Sequence, residues 1–532
     1  MSAVPWTVGR YVVETLAANG IDTVFGIPGV HNLELYRGLA AARLRHVLAR
    51  HEQNAGFAAD GFARASGRAA AVFVISGPGL TNALTAVAQA SSDSVPLLVI
   101  ASTPVRASLG KYWGVLHELA DQRSLAAGAA GLACHASSDA QLREQLRAAF
   151  AFLRRGRARP AYVGIPLDLL AEPTALRPES FAPVSQLPPP AARAIDEARS
   201  LLAGAQRPLI IAGGGARHAG AALGRLLQAL DAYLVTTVAG KGVLPESHPG
   251  NLGASLPYRA TQELIAAADV VLAAGTELSE TDLYTTTRLA LPGRLIRIDV
   301  DETRLADHYG AQLAIHADAR AALEALASGL AARHGWRSAS GVAAVHRQRI
   351  HAQVSEHARA CLAGVRALRA AVPPAGVVFS DMTQIAYTGN YAFAADRPGV
   401  WFHPSGYGTL GYALPAAIGA KIAQPERPVV ALAGDFGVQF TLQELLTAVE
   451  LQLPLPIIVW NNQGLGQIRD DMRAAGIEPV GVTGRNPDFP AFAAACGAEG
   501  LRVRGADALA EGVRAALRAR GPTLLEALDT DF

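Results

Sequence analysis

An aspartate and an asparagine end two apolar segments in the last third of the sequence. Asp435 follows VVALAG, and Asn462 stands 27 residues later, at the end of PLPIIVWNN. A segment of helical pattern, LQELLTAVELQ, lies between them. In a strand–helix–strand unit, the right-handed crossover brings both strand ends to the same edge of the sheet, where ligands bind. The spacing therefore predicts that the two side chains face each other across one crevice.

The two side chains offer the oxygen ligands that Mg²⁺ prefers. A carboxylate and an amide oxygen are hard ligands, and Mg²⁺ shares its octahedral shell with phosphate oxygens. The carbonyl of Gly464 can supply a third oxygen, and the Gly464-Leu465-Gly466 segment is expected to leave backbone N–H groups for phosphate. The alternative is a strand-end aspartate and a turn-forming Asn-Asn without a ligand. The spacing of the pair favours the metal.

A second candidate is the glutamate of HEQNAGFAADGFARASG at 51–67. This segment follows the strand-like RHVLAR, which places Glu52 in the first turn of an Ala-rich helix. The helix dipole favours an acid in that position in any protein. For this residue alone, a purely structural glutamate is therefore the alternative.

The elements that must position these residues are short strands and longer helices in alternation. Continuous apolar strands separated by amphipathic helices predict parallel sheets with both faces covered. We expect an α/β fold with three doubly wound, mainly parallel-sheet domains. The clearest predicted strands are Val72–Ser76, Pro96–Ser102, Pro208–Ala212, Val270–Ala274, Val429–Ala433 and Pro456–Trp460.

At 532 residues the chain is too long for one hydrophobic core, and its length suggests about three domains. Two stretches have the composition of linkers, the proline-rich 176–194 and the polar 335–353. Repeated proline keeps a chain extended and without regular hydrogen bonds. We therefore predict an N-terminal domain at 1–175, a central domain at 190–335 and a C-terminal domain at 355–532.

The composition argues against several classes of protein. Half of the residues are hydrophobic and 17% are charged, which suits a well-buried globular protein. A net charge of +2 gives no reason to expect a nucleic acid or a membrane as partner. The three cysteines show neither metal-site nor disulfide spacing. Because no signal-peptide pattern and no run of ~18 apolar residues is present, we expect a cytoplasmic protein.

Together the two candidate sites resemble those of the thiamine-diphosphate-dependent enzymes. The cofactor signature of this family is Gly-Asp-Gly followed, after a spacer of this length, by Asn-Asn. Here Phe436 replaces the last glycine, which leaves backbone contacts intact and changes the pocket wall beside the diphosphate. The segment around Glu52 matches the family's activating-glutamate segment at every fixed position. The resemblance identifies a pyrimidine-binding, a Rossmann-like central and a diphosphate-binding domain, in that order.

The resemblance implies thiamine diphosphate and Mg²⁺ as cofactors, with Asp435, Asn462 and the Gly464 carbonyl on the metal. Gln384 falls where the family's diphosphate-binding glutamine lies, and Thr383 replaces that glutamine's usual glycine neighbour. The implied cofactor-binding residues are Glu52, Thr383, Gln384, Gly408, Leu410, Gly434, Asp435, Phe436, Asn462, Gly464, Leu465 and Gly466.

The chemistry that the resemblance implies starts with Glu52. It exchanges a proton with the pyrimidine ring and favours the imino tautomer, which removes the proton from the thiazolium carbon. The resulting ylide attacks the 2-oxo carbon, and the ring stores the electrons left by CO₂ as an enamine. In the family a bulky residue, here Leu410, props the folded cofactor, and a carbonyl, here that of Gly408, accepts from its amine. A core leucine before a helix is the alternative for Leu410.

Two further properties follow from the family. The glutamate and the metal site that work together lie on different subunits, which implies a homodimer or homotetramer with active sites at the subunit interface. The central segment IIAGGGARHAG (210–220) follows an apolar strand, and some relatives bind FAD or ADP in this domain. Because a lone Gly-Gly-Gly is weak evidence for a nucleotide, FAD stays open and its absence is favoured.

Longer segments resemble the acetolactate-synthase-like branch of the family, among them VFGIPGVHNLELYRGL (24–39) and LGYALPAAIGAKIA (410–423). In true acetolactate synthases, LGM and a nearby Trp follow the asparagine pair. Here the segment reads LGQIRDDM (465–472). With LHELADQ (116–122), it is most similar to the 2-ketoarginine (5-guanidino-2-oxopentanoate) decarboxylases.

A guanidinium-bearing substrate requires carboxylates in a planar, bidentate arrangement. Solvated loop acids are the alternative for each acidic candidate. His117 is a candidate proton donor, because a histidine with a near-neutral pKa suits that role, and it is equally a candidate capping or core histidine. The candidate substrate residues are Val30, His31, Glu118, Asp121, Gln122 and Asp470.

The favoured function is decarboxylation of a 2-oxo acid, with 2-ketoarginine as the candidate substrate, to the aldehyde. One alternative is a carboligase of the acetolactate synthase type, which condenses two oxo acids. An FAD-linked 2-oxo acid oxidase and a catalytically inactive relative are the others. Because Glu52, Asp435 and Asn462 are all present, the sequence speaks against an inactive relative.

Overall fold

The computed structural model describes residues 6–182, 187, 189–284, 286–333, 336–337, 342–354 and 356–532. Parts of both predicted linkers, and the predicted domain boundaries at residues 335 and 355, lie outside these ranges. The chain divides into two compact units. The first comprises Met1–Ser185, Tyr407–Arg502 and Ala515–Glu526, and the second comprises Gln186–Gly406, Val503–Arg514 and Ala527–Phe532.

The N-terminal part of the first unit contains a six-stranded sheet. Its strands are β1 (Thr23–Gly26), β2 (Arg45–Leu48), β3 (Ala70–Val74), β4 (Leu97–Thr103), β5 (Leu132–His135) and β6 (Ala161–Pro166). They lie in the order β2-β1-β3-β4-β6-β5, and neighbouring strands are parallel. The accompanying helices are α1 (Val8–Ala18), α2 (Leu33–Ala42), α3 (Glu52–Ser66), α4 (Pro78–Ser92), α5 (Gln122–Ala127), α6 (Asp139–Leu153) and α7 (Leu167–Ala171).

The second unit contains a five-stranded parallel sheet. Its strands are β7 (Pro208–Ala212), β8 (Tyr233–Thr236), β9 (Val270–Ala274), β10 (Arg294–Asp299) and β11 (Leu313–His316). They lie in the order β11-β10-β9-β7-β8. The helices of this part are α8 (Ala192–Gly204), α9 (Gly220–Leu230), α10 (Arg259–Ala267), α11 (Glu302–Leu305), α12 (Ala319–Ala327), α13 (Val342–Ala352) and α14 (Glu356–Ala371).

A third set of strands lies in the last third of the chain. In the second unit, β12 (Val377–Ser380) and β13 (Trp401–Phe402) pair in parallel, and α15 (Gln384–Ala392) lies between them in sequence. The remaining strands are β14 (Val429–Gly434), β15 (Pro456–Asn461), β16 (Glu499–Val503) and β17 (Thr523–Leu528), in the order β14-β15-β17-β16. The remaining helices are α16 (Ala413–Ala423), α17 (Asp435–Gln439), α18 (Glu444–Glu450), α19 (Gly466–Ala474), α20 (Phe489–Ala495) and α21 (Gly505–Ala516).

These sheets confirm the predicted fold class of three mainly parallel α/β domains. β14 and β15 are parallel, with Gly434 opposite Trp460, and α18 lies between them in sequence, so the predicted strand–helix–strand unit is present. Every residue of both strands is buried, which explains why their sequences are continuous apolar runs. In the part of the chain that the structure describes, no helix is both long and apolar enough to cross a membrane.

Helices α3 and α16 of the first unit pack backbone against backbone. A Cβ atom built at Gly61 would lie 1.9 Å from the carbonyl oxygen of Ala416, and one built at Gly419 would lie 1.7 Å from that of Ala58. Real Cβ atoms do not approach a carbonyl this closely, so the contact requires glycine on each helix. Because α3 begins at Glu52, this contact also fixes the helix that carries the candidate glutamate.

We expect Gly61→Ala to lower the free energy of unfolding by about 1–3 kcal/mol, because the added methyl group forces the helices apart. The midpoint of thermal unfolding measures the change. Gly224→Ala in helix α9 is the matched control, since its Cβ would meet only Leu244 Cδ1, at 3.6 Å. In that variant alanine has room and the better helix propensity, so we expect no loss of stability. Equal midpoints for the two variants would contradict the close helix contact.

Candidate active site

The carboxyl edge of β14 and β15 carries the candidate metal ligands. Asp435 is the first residue of α17 and is buried. Its carboxylate accepts hydrogen bonds from Nδ2 of Asn486, at 2.7 Å, and from the backbone N–H of Gly464. Burial raises the pKa of the Asp435 carboxyl above its ordinary value. Asp435 and Gly464, which come from neighbouring strand ends, therefore lie side by side.

The two asparagines at the end of β15 differ in their surroundings. The Asn461 side chain donates to Glu526 Oε1 at 2.8 Å and accepts from Asn486 Nδ2 at 3.1 Å. Asn462 is 9% exposed and lies at the strand end, two residues before Gly464. The hydrogen bonds of Asn461 hold the turn, and the role of Asn462 as a metal ligand stays a prediction.

The donor set at this edge fits Mg²⁺. It combines a buried carboxylate, an amide and a backbone carbonyl, which are hard oxygen ligands of the kind Mg²⁺ takes together with phosphate oxygens and water. The raised pKa of Asp435 reflects the cost of holding its negative charge away from water, and a divalent cation beside the carboxylate would offset that cost.

The backbone of the Gly464-Leu465-Gly466 segment differs from the expectation of free N–H groups. The N–H of Leu465 donates to the carbonyl of Val482 at 2.8 Å, and the N–H of Gly464 donates to Asp435. The expectation is therefore wrong for these two residues, because the turn uses their donors to hold itself in place. Gly466 is the first residue of α19, where helix N–H groups have no partner within the helix.

Gly434 and Phe436 flank the candidate metal ligand. Gly434 is the last residue of β14 and caps α17. The ring of Phe436 packs over Gly484, since a Cβ built at Gly484 would lie 2.9 Å from the ring's Cζ atom. The phenyl ring therefore packs against the loop at Gly484, and its effect on the pocket beside the diphosphate stays a prediction.

Glu52 is the first residue of α3 and is half-buried. The His51 side chain caps the helix by accepting from the N–H of Gln53 at 3.1 Å. Asn82, on α4, donates from Nδ2 to Oε2 of Glu52 at 3.0 Å. One carboxylate oxygen of Glu52 is therefore oriented by a neutral amide on a neighbouring helix.

Gly408 and Leu410 lie in an irregular segment before α16. Gly408 has φ +71° and Gly411 has φ +84°, in the left-handed region that favours glycine. Leu410, between them, is half-buried. The segment is held by a hydrogen bond from the Thr409 hydroxyl to Gln89 of α4 and by one from the Thr441 hydroxyl to the Gly411 carbonyl.

Thr383 and Gln384 belong to the second unit. Thr383 is the residue before α15, and Gln384 begins that helix just beyond the end of β12. Their exposures are 8% and 7%. A glutamine at the carboxyl end of a strand and the N-terminus of a helix stands where α/β sheets bind ligands.

Two histidines and a serine form a cluster at the carboxyl edge of the first sheet. Nδ1 of His31 is hydrogen-bonded to Oγ of Ser76. The rings of His31 and His117 meet edge to face, with centroids 4.9 Å apart. Burial, and secondarily the neighbouring His117, lower the pKa of His31. Nδ1 of His117 is buried and has no hydrogen-bond partner among the described residues.

Glycine at position 77 leaves room for the backbone of His117 in this cluster. Its φ is +61°, and a Cβ built there would lie 2.7 Å from the carbonyl oxygen of His117. The N–H of Gly77 donates to Oε1 of Gln122 at 3.0 Å. Nε2 of the buried Gln122 donates in turn to the carbonyl of Ser102 and to the hydroxyl of Tyr162. Gln122 therefore supports the backbone beneath the two histidines.

The acidic substrate candidates accept hydrogen bonds from residues close to them in sequence. Glu118 accepts from the N–H of Gly114 at 2.8 Å. Asp121 caps α5 by accepting from the N–H and hydroxyl of Ser124, and these bonds lower the pKa of its carboxyl. Both acids thus already have hydrogen-bond donors, and their role toward a guanidinium stays a prediction.

Asp470 and Val30 are more open to solvent. The side chain of Asp470 is 44% exposed, with guanidinium nitrogens of Arg469 and Arg473 at 3.8 and 3.9 Å. Val30, beside His31, is 67% exposed. Among the described candidates, the structure brings His31 and His117 together and brings Asp435 and Gly464 together.

Sequence reasoning missed Asn82 and Asn486. Asn82 lies in the segment ISGPGLTNA at 75–83, but its spacing from Glu52 carries no signal that the two side chains meet. Asn486 lies in a loop 24 residues after Asn462 and contacts Asp435, Asn461 and Gln439. Neither contact follows from a local pattern.

Comparison with known proteins shows the family to which the chain belongs. Three models of thiamine pyrophosphate enzymes match the chain: the N-terminal TPP binding domain at residues 6–125, the central domain at 195–326 and the C-terminal TPP binding domain at 381–527. The chain is 49% identical to "Probable 2-ketoarginine decarboxylase AruI" of Pseudomonas aeruginosa, over 98% of this chain and 93% of that protein. It is 30% identical to the acetolactate synthase isozyme 3 large subunit of Escherichia coli, over 92% and 89%.

Proposed function

Since the chain belongs to the thiamine pyrophosphate enzymes, we propose that it decarboxylates a 2-oxo acid, namely 2-ketoarginine, to the aldehyde with thiamine diphosphate and Mg²⁺. The observation that carries this proposal is the whole-length similarity, at 49% identity, to a protein named as a probable 2-ketoarginine decarboxylase. The chemistry of the candidate residues is consistent with that reaction class.

In this proposal the metal is bound by Asp435, Asn462 and the carbonyl of Gly464. Asn486 orients the Asp435 carboxylate, and the N–H group at Gly466 meets a phosphate oxygen at the start of α19. Thr383 and Gln384 are assigned to the diphosphate by the resemblance of their segment. These residues bind and orient the metal and the cofactor, and they do not take part in making or breaking bonds.

Glu52 is the proposed proton-exchanging residue. When bound, thiamine diphosphate supplies a nucleophilic carbon and a sink for the electrons left by CO₂. Glu52 holds and returns a proton at the pyrimidine nitrogen, and Asn82 keeps one carboxylate oxygen in place. The Gly408 carbonyl would accept from the pyrimidine amine, and Leu410 would pack against the bound cofactor.

His117 is the proposed donor of the proton that replaces CO₂ on the product carbon. Its buried Nδ1 has no hydrogen-bond partner among the described residues, and burial lowers the pKa of the neighbouring His31.

The enzyme is further proposed to work as a homodimer or homotetramer. Support comes from the family resemblance, in which the glutamate and the metal site that act on one cofactor belong to different subunits. A carboligase of the acetolactate synthase type is the second candidate function, and the whole-length identity of 30% to acetolactate synthases favours it.

Release of CO₂ by the purified protein with thiamine diphosphate and Mg²⁺ tests the proposal. We expect release from 2-ketoarginine to exceed release from pyruvate and benzoylformate, because the pocket is proposed to select a guanidinium side chain. The aldehyde should form in equal amount. Turnover of pyruvate alone, with acetolactate as product, would replace the decarboxylase by the carboligase and leave the cofactor assignment standing.

A further inference from the structure

The segment 408–411, which carries the residues proposed to hold the bent cofactor, lacks regular secondary structure. Its shape depends on two glycines with positive φ, and a Cβ built at Gly411 would lie 2.8 Å from Phe440 Cβ and from Thr441 Cγ2. A backbone of this shape, without a helix or strand ladder, needs side chains from elsewhere to fix the orientation of its peptide groups.

Gln89 of α4 supplies such a contact at one particular peptide group. Its Oε1 accepts from the backbone N–H of Thr409 at 3.3 Å and from the hydroxyl of Thr409 at 3.0 Å. Gln89 is fully buried and Thr409 is 7% exposed. The N–H of Thr409 and the carbonyl of Gly408 belong to the same planar peptide group and point in opposite directions. Fixing that N–H therefore also fixes the direction of the Gly408 carbonyl.

Gln89 is itself held by a chain of buried polar contacts. Its Nε2 donates to Asp93 at 2.6 Å, and Asp93 accepts from Arg64 at 2.6 Å. Arg64 also donates to Asp60 at 2.6 Å, and Asp60 accepts from the hydroxyl of Tyr412. The chain of contacts thus returns to the start of α16, one residue beyond Gly411. Buried charged hydrogen bonds of this kind hold side chains rigidly.

We infer that Gln89 is a positioning residue that aims the Gly408 carbonyl at the amine of the bound cofactor. This inference rests on the proposed function, since the amine belongs to thiamine diphosphate. Gln89 touches neither cofactor nor substrate and acts through one peptide group. The contribution of Gln89 should therefore appear in activation of the cofactor and not in anchoring of its diphosphate.

Gln89→Met removes the acceptor at nearly constant volume, and Gln89→Asn withdraws it by one carbon while keeping a polar group near Asp93. For both variants we expect hydrogen–deuterium exchange at the reactive thiazolium carbon of the bound cofactor to slow about tenfold, the effect of one lost hydrogen bond. The dissociation constant for thiamine diphosphate, measured by calorimetry, should stay near the wild-type value. If Gln89→Met does not fold, Gln89→Asn alone tests the inference.

Thr409→Val is the matched control. It removes the hydroxyl contact and keeps the backbone N–H bond to Gln89, so exchange should slow clearly less than in the Gln89 variants. Unchanged exchange in folded Gln89 variants, or an equal loss in Thr409→Val, would overturn the positioning role. If the wild-type protein itself does not bind thiamine diphosphate or accelerate exchange, the proposed function fails instead.

Discussion

Glu52→Gln is expected to lower kcat by about two to four orders of magnitude, the usual contribution of a proton-transferring side chain. Glutamine keeps the shape and can still accept from Asn82, which donates to Oε2 of Glu52 at 3.0 Å, but it cannot exchange a proton with the pyrimidine ring. CO₂ release measures the loss, and calorimetry should show that thiamine diphosphate still binds.

Glu34→Gln is a matched control for this experiment. Glu34 is likewise an acid in the first turn of a helix, α2, and its carboxylate accepts from Arg37. If Glu52 served only the helix dipole, the two variants would behave alike, with a small change in stability. A kcat for Glu52→Gln close to that of Glu34→Gln would contradict the proton-exchange role.

Much of the fold could be predicted from the sequence because buried parallel strands leave a strong local signal. The predicted bounds of β7 and β9 agree with the structure, and β14 and β15 each extend only one residue further. The predicted β3 begins and ends two residues too late, since Ile75 extends its apolar run beyond the strand. The chain instead leaves the sheet there because the turn at Gly77, with positive φ, must begin.

The candidate site could be predicted only where its residues follow strand ends. Asp435 and Gly464 meet because the strands before them are parallel neighbours, a rule that depends on order along the chain. The contacts of Asn82, Gln89 and Asn486 join segments that no periodicity relates. Hydrogen bonds of this kind depend on how helices pack, and that information lies in side-chain shape rather than in spacing.

The same reasoning explains why acids in a loop are poor guides to a substrate. The motif around residues 116–122 offers carboxylates of the right type, yet Glu118 and Asp121 accept from backbone donors of their own loop and helix. A polar side chain that lies beside unpaired backbone N–H groups accepts hydrogen bonds from them before it can bind a ligand. The number of acids near a site therefore overstates the number available to bind a guanidinium.

Asp435→Asn is expected to weaken the Mg²⁺-dependent binding of thiamine diphosphate by about a hundredfold or more. The substitution keeps the shape and removes the only full negative charge in the proposed ligand set, on which a divalent cation most depends. Calorimetric titration of the metal-free protein with thiamine diphosphate, with and without Mg²⁺, measures the change.

Comparison of Asn486→Ala with Asp435→Asn distinguishes a direct metal ligand from a residue that only completes the turn. Asn486 orients the Asp435 carboxylate through a 2.7 Å hydrogen bond, and loss of such an outer contact typically costs 10- to 100-fold in metal affinity, so we expect about tenfold here. Glu450→Gln, at a side chain 58% exposed, should bind as the wild type does. Wild-type affinity in Asp435→Asn would mean that the cation is held elsewhere. Equal losses of affinity in Asp435→Asn and Asn486→Ala would mean that both residues act by holding the strand end together. Substitution of a direct metal ligand should cost more metal affinity than substitution of the residue that donates a hydrogen bond to that ligand.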